Sequence, residues 1–222
     1  MTRQLSFDLP VRPALGREDF FVSQANSVAV AVIESWRSWA GGKLVLIGPR
    51  GAGKTHLAHV WAGLSGATLL PAAALPGADI PALARAPVAV EDADRIAGDP
   101  AAEAALFHLH NLALAEGAAL LLTGQSPPTR WGVALPDLAS RLQATQVARL
   151  DPPDDALLSA LLAKLFADRQ LWPSPETIAY LTRRIERSFD AAQQVVADLD
   201  RAALAEQRPV SRALASKVLD AR

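Results

Sequence analysis

Residues 43–55 read KLVLIGPRGAGKT, an apolar run that passes directly into a glycine-rich turn and a Lys-Thr pair. Leu44 to Ile47 carry no polar side chain, the mark of a short strand buried on both faces. Gly48-Pro49-Arg50-Gly51-Ala52-Gly53-Lys54-Thr55 then matches G-x-x-x-x-G-K-[ST], and an amphipathic segment follows to about residue 64. Glycines let such a turn curl so that its N–H groups converge on phosphate oxygens. The helix that starts near Lys54 aims its positive end at the same anion. Lys54 is expected to reach the β and γ phosphates of a nucleotide, and the Thr55 hydroxyl to ligate magnesium. A chance strand-to-helix turn would lack these flanks.

On the N-terminal side, Ser23 reads as a helix cap, and Val28, Val32, Ile33, Trp36 and Trp39 recur at helical spacing until Gly41-Gly42. On the C-terminal side, strand patterns at 67–70, 87–90, 118–123 and 146–150 alternate with helical patterns at 100–116 and 136–142. That alternation predicts a parallel sheet covered by helices on both faces. Beyond Asp151-Pro152-Pro153 only helical patterns remain, at 154–168, 174–187, 188–207 and 211–221. The expected fold is α/β: an extended arm at 1–18, a P-loop domain at 19–150 and a small all-helical lid at 151–222.

Composition removes several function classes. The 222 residues carry a formal net charge of -1, so a broadly basic, duplex-coating surface is not expected. With no cysteine, disulfides, thiolate metal sites and cysteine nucleophiles are excluded. The first ten residues are too polar, and too soon broken by Pro10, for a secretory signal. No apolar stretch approaches the roughly 18 residues needed to cross a bilayer, so a cytoplasmic protein without a membrane partner is expected. His56, His59, His108 and His110 lack partners at ligand spacing and read as packing or helix-surface residues. Trp36, Trp39 and Trp61 read as core or interface residues, Trp131 and Trp172 as loop anchors, and Arg183, Arg184 and Arg187 as a solvated helix face.

A magnesium-bound triphosphate also needs a carboxylate at the end of a neighbouring strand. Val88-Ala89-Val90-Glu91-Asp92 supplies an apolar strand ending in two acids. One would serve the metal and the other orient water; the residues alone leave open which does which.

Together these pieces resemble the AAA+ domain of the bacterial replication initiator DnaA, and within that family the short Hda homologues, regulatory inactivators of DnaA. The matching segments are Asp19-Phe20-Phe21-Val22, GPRGAGKTHL at 48–57, the acidic strand end running on through ADRIAGD at 93–99, LLLTGQ at 120–125 and PDLASRL at 136–142. The resemblance implies an adenine pocket at Phe20, Phe21 and Val22 and a phosphate loop over 48–55 with His56 following. It implies a sensor position at Gln125, and an arginine finger, Arg141, presented to a neighbour's γ-phosphate. In the lid, RSFDAA at 187–192 puts Asp190 where the family carries an arginine that contacts nucleotide. An acid there would repel phosphates unless it points elsewhere or pairs with an arginine. Gln4-Leu5-Ser6-Phe7-Asp8-Leu9 resembles the peptide with which replication proteins dock on the sliding clamp, the β subunit of DNA polymerase III. Gln4 would sit at the pocket rim, and Leu5, Phe7 and Leu9 would act as apolar anchors.

The resemblance implies ADP or ATP with Mg²⁺ as ligands, and DnaA and the clamp as partners. DNA would be reached only through the clamp, which places the protein at the replisome or nucleoid, and self-association stays open. The sequence ends after the lid, and about sixteen residues separate the second and third strands. Both features are expected to deprive it of DnaA's own DNA contacts. The leading expectation is a clamp-tethered regulator, with weak intrinsic ATPase at most, that promotes hydrolysis of DnaA-bound ATP and so limits initiation. The alternatives are an autonomous ATPase in helicase loading or transposition on single-stranded DNA, and a P-loop small-molecule kinase.

Overall fold

The computed structural model describes residues 20–221. The clamp-like motif at 4–9 and the rest of the arm lie outside the described residues, as does Asp19.

The strands are β1 (Lys43–Ile47), β2 (Thr68–Pro71), β3 (Val88–Glu91), β4 (Leu120–Gly124) and β5 (Val147–Arg149). They form one sheet in the order β2-β3-β4-β1-β5, and every neighbouring pair is parallel. Successive side chains alternate between the two faces of the sheet, and in the central strands both faces are buried. Val45, Ile47, Val88, Val90, Leu120 and Leu122 belong to one hydrophobic cluster. Leu44, Leu46, Ala89 and Leu121 belong to another on the opposite face. Both clusters are closed by helices. The second is covered by α1 (Ser27–Glu34) and α2 (Lys54–Ser65), the first by α3 (Ile80–Leu83), α4 (Pro100–Ala115) and α5 (Pro136–Gln143). The expected α/β class with two covered faces is what the chain adopts.

Helices alone follow: α6 (Asp155–Ala167), α7 (Pro175–Arg184), α8 (Phe189–Glu206) and α9 (Arg212–Asp220). They enclose their own core of Leu158, Leu162, Phe166, Leu181, Val195, Val196, Leu199 and Leu214. Each begins on a side-chain cap, with Asp154, Ser174, Ser188 and Ser211 accepting from backbone N–H groups of the first turn. No helix among the described residues is long and apolar enough to cross a membrane.

Two expectations shift. The helix expected from Ser23 to Gly41 starts at Ser27 and stops at Glu34. Asn26 forms a turn by accepting from Ser23 N–H and donating to the Phe21 carbonyl, 2.8 Å each. At the far end the Ser35 hydroxyl bonds back to the Ala31 carbonyl at 2.9 Å, and a 3₁₀ turn over Trp36–Ser38 replaces the helix. That turn brings Trp39 into stacking on Trp61 at 5.2 Å and Trp36 edge-on to Trp61 at 6.3 Å, so all three serve the core. Trp172, expected to anchor a loop, is 81% exposed; Trp131 is buried and donates to the Ser126 carbonyl. Between β2 and β3 the chain makes only a 3₁₀ segment, Ala72–Gly77, and the four-residue α3.

One buried acid ties the loops around α4 together. Glu103 is 2% exposed and accepts from the N–H groups of Gly98 at 2.9 Å, Ala134 at 3.0 Å and Leu135 at 2.8 Å. It therefore fixes both the loop after β3 and the entry to α5. Burial alone would raise its pKa, but the donations from Ala134, Gly98 and Leu135 outweigh it and leave the carboxyl below its ordinary 4.5. Glu103→Gln leaves at least one of these donors unmatched and is expected to cost about 1–3 kcal/mol. Because the folded pKa is depressed, the carboxylate's contribution is complete above about 4.5 and is lost as pH falls through the folded value. The melting-temperature gap between wild type and variant should therefore be largest at neutral pH and shrink under acid.

Candidate functional site

The P-loop leaves β1 at Gly48 and enters α2 at Lys54. Gly51 and Gly53 take φ of +68° and +93°, which non-glycine residues adopt only with strain. A Cβ on Gly51 would also stand 2.9 Å from the Ser188 Cβ, because the lid lies directly on the loop here. Phe189 N–H, at the start of α8, donates to the Gly51 carbonyl at 2.7 Å. Phe189 and Phe20 pack beside Gly53 from two sides.

Between loop and lid lies a pocket of about 390 Å³. Arg50, Gly51, Gly53, Lys54, Thr55, His56, Asp92, Gln125 and Asp190, all expected at the nucleotide, form its wall together. Gly48 and Pro49 take part through their carbonyls, which accept from the Lys54 ammonium at 2.8 and 2.9 Å. Ala52 is buried behind the loop. Phe20 is buried with its ring edge-on to His56 at 5.0 Å, whereas Val22 is 49% exposed and Phe21 half-buried, and neither reaches the pocket wall.

Burial pulls the Lys54 ammonium below its ordinary pKa of 10.5, as Arg95 does more weakly, while Asp92, Asp94 and Asp190 oppose the shift. Those three carboxylates thus surround the lysine electrostatically. At the β3 end the two acids separate. Asp92 lines the pocket, in a left-handed conformation at φ 54°, with its N–H on the Thr123 hydroxyl at 3.0 Å; Glu91 is half-buried off the pocket wall. Asp94, two residues further, accepts from Gln125 N–H at 2.8 Å through Oδ2, while its Oδ1 is buried without a partner.

The acid in the lid is paired. Asp190 Oδ2 lies 3.5 Å from Arg50 Nε, so the carboxylate is held by the loop's own arginine. Both side chains are more than half exposed, and a pair in that setting contributes about 0–1 kcal/mol.

Sequence reasoning overlooked Arg95, Phe189 and Gln193, which also line the pocket. Arg95 follows Asp92 by three residues, and the two pair at 3.4 Å. Gln193 follows Asp190 by three on α8, so helical spacing from Asp190 would have found it.

The residues present fit a nucleotide and a divalent cation. Backbone N–H groups, Lys54 and a helix start suit phosphates. Thr55 is exposed at the first turn of α2, Asp92 lines the same pocket, and Asp94 lies near enough to favour the Lys54 charge. Among the described residues no group of three or more acids or histidines could hold a metal by itself. A magnesium ion here would need phosphate oxygens to complete its shell.

Arg141 stands apart. It is exposed, does not line this pocket, and forms no ion pair among the described residues. Its carbonyl accepts from Lys43 Nζ at 3.3 Å, and Lys43 is the first residue of β1, whose last residue leads into the P-loop. The strand's five residues span about 13 Å along its axis between those two ends.

No family model matches the chain. Among solved structures it is similar to domain III of the replication initiation protein DnaA from Thermotoga maritima, at 17% identity and a TM-score of 0.81, over 96% of this chain and 98% of that one. It is similar to replication initiator DnaA bound to AMPPCP and single-stranded DNA, at 16% identity and 0.72, over 88% and 69%. A RuvB variant from Thermotoga maritima aligns at 16% and 0.69, over 95% and 73%. These likenesses establish the fold, that of the AAA+ domains of DnaA and RuvB.

Replacing Lys54 by Ala removes a charged donor worth about 1.5–3 kcal/mol. Titration with a fluorescent nucleotide should show affinity falling roughly tenfold to a hundredfold or more. Asp190→Asn frees Arg50 and removes a negative charge from the pocket, so the same titration should show affinity rising several-fold. An unchanged affinity would mean the carboxylate is turned away from the bound phosphates.

Proposed function

We propose that this chain is a DnaA-like AAA+ regulator that binds a nucleotide at its own P-loop and supplies Arg141 to the ATP held by DnaA. Promoting hydrolysis there would limit initiation of chromosome replication. The observation that carries this reading is Arg141: an unpaired guanidinium outside the chain's own phosphate pocket, at the other end of β1. A fixed arginine stabilises charge developing on the equatorial oxygens of the transferring phosphoryl group, and such a residue contributes about 10³–10⁵ in rate. From that position it would serve a site in another molecule.

On this reading the chain's own nucleotide, ADP or ATP, organises the contact between P-loop and lid, and its own turnover is slow. Asp92 is the acid that would serve magnesium with Thr55. The arm at 4–9 would dock on the sliding clamp and bring the regulator to newly replicated DNA; its support is the residue pattern alone.

The test is phosphate release from ATP-loaded DnaA of the same organism on clamp-loaded DNA. Comparison is made between the intact chain, a chain without residues 1–10, and Arg141→Ala. Strong stimulation that needs both the arm and Arg141 is expected. Stimulation indifferent to Arg141, or none from the intact chain, would overturn the reading. DNA-dependent hydrolysis by the chain alone would favour an autonomous ATPase instead.

A further inference from the structure

Arg141 is contacted by Lys43 of β1, by Thr145 just after its own helix and by Phe107 of α4, none of which lines the P-loop pocket. Its carbonyl, near the end of α5, accepts from Lys43 Nζ at 3.3 Å and from the Thr145 hydroxyl at 2.9 Å. An ammonium at that end also complements the negative end of the helix. Its guanidinium carbon lies 5.4 Å from the centre of the Phe107 ring on α4, within cation–π range.

The lysine is itself held. Lys43 Nζ lies 3.1 Å from His110 Nε2, and an ammonium can only donate, so Nε2 must present its lone pair. His110 is 1% exposed and kept neutral: burial, then the Lys43 charge and more weakly Arg141, push its pKa down to about 4, against the opposing hydrogen bond of Asn111. Burial and Arg141 likewise lower the Lys43 pKa. Two cations stand side by side here, and neither has a carboxylate partner among the described residues. Such an arrangement opposes folding unless something else gains from it. It leaves the guanidinium undiverted toward an incoming anion, with its main chain bonded to Lys43 and its guanidinium carbon near the Phe107 ring.

We infer that Lys43, backed by His110, and Phe107 are positioning residues that hold the Arg141 guanidinium in one orientation for a phosphate group carried by another molecule. This rests on the proposed role of Arg141, but the orientation itself can be measured without any partner.

The experiment has two readouts on the full chain. The first is ¹⁵N relaxation of the Arg141 Nε–H, identified by its absence in Arg141→Ala. The expected order parameter is above about 0.6 in wild type and falls below it in Lys43→Met and in Phe107→Leu. The second is single-turnover hydrolysis on DnaA. Each variant should lower the maximal rate about tenfold, as loss of a cation–π support or a small misplacement would, with the half-saturating concentration unchanged. Lys43→Arg and Phe107→Tyr, which keep the donor and the ring, should restore it. A merely structural role would lower stability without this split between rate and half-saturation. An Arg141 side chain equally ordered in both variants overturns the inference even if DnaA is stimulated. Failure of wild type to stimulate DnaA, with Arg141 ordered only when Lys43 and Phe107 are present, overturns the proposed function and leaves the positioning intact.

Discussion

β1 has no face it can leave to water. Leu44 and Leu46 pack to one side and Val45 and Ile47 to the other, all at most 2% exposed, so the strand cannot slip by one residue without exchanging its two cores. That register fixes the strand's two ends as well as its middle. At one end the chain must turn at Gly48 into the P-loop, and Lys54 closes the turn by donating back to the Gly48 and Pro49 carbonyls. At the other, Lys43 reaches His110 and the end of α5. A pocket for phosphates and an isolated arginine are thus held at opposite ends of one rigid element.

The lid depends on the same strand at one remove. Its own core is closed by residues of α6 to α9, so its position over the P-loop rests on a small contact. That contact includes the Phe189 N–H on the Gly51 carbonyl, the Phe189 ring beside Gly53, Ser188 close against Gly51, and the Arg50–Asp190 pair. A net hydrogen bond contributes about 0.5–1.5 kcal/mol and the exposed ion pair less. Close packing therefore decides the geometry, and the charges tune it. Gly51 is indispensable to that packing, since any side chain there would push Ser188 away.

Much of this was readable from residue patterns. The apolar run at 44–47, the phosphate-loop spacing and the all-helical composition after Pro153 led to the observed order of elements. What escaped lay where tertiary contact overrides local pattern. Ser35 and the tryptophans break the first helix because Trp39 finds Trp61, a residue 22 positions away. Glu91 and Asp92 could not be told apart as letters; only the left-handed turn at Asp92 sends one toward the pocket and leaves the other off its wall. Asp94 was read only as part of the acidic strand end, and its hold on Gln125 N–H joins loops that are 31 residues apart. The apparent conflict at Asp190 was visible in the sequence, and its resolution by Arg50 needed the loop and lid in one frame.

The two charged ends also differ in kind. Lys54 is nearly enclosed, spends its donors on the loop's own carbonyls and sits among carboxylates that favour its charge. Arg141 is exposed, bonded among the described residues through its carbonyl, close to the Phe107 ring and beside a second cation, Lys43. A group that must organise a resident ligand gains from the first environment, because the loop keeps its shape around a satisfied ammonium. A group that must meet a phosphate on another molecule gains from the second. Its desolvation would be small, no carboxylate among the described residues competes, and an incoming anion would relieve the repulsion with Lys43. The asymmetry makes mechanical sense if one nucleotide is held by this chain and the other is brought by a partner.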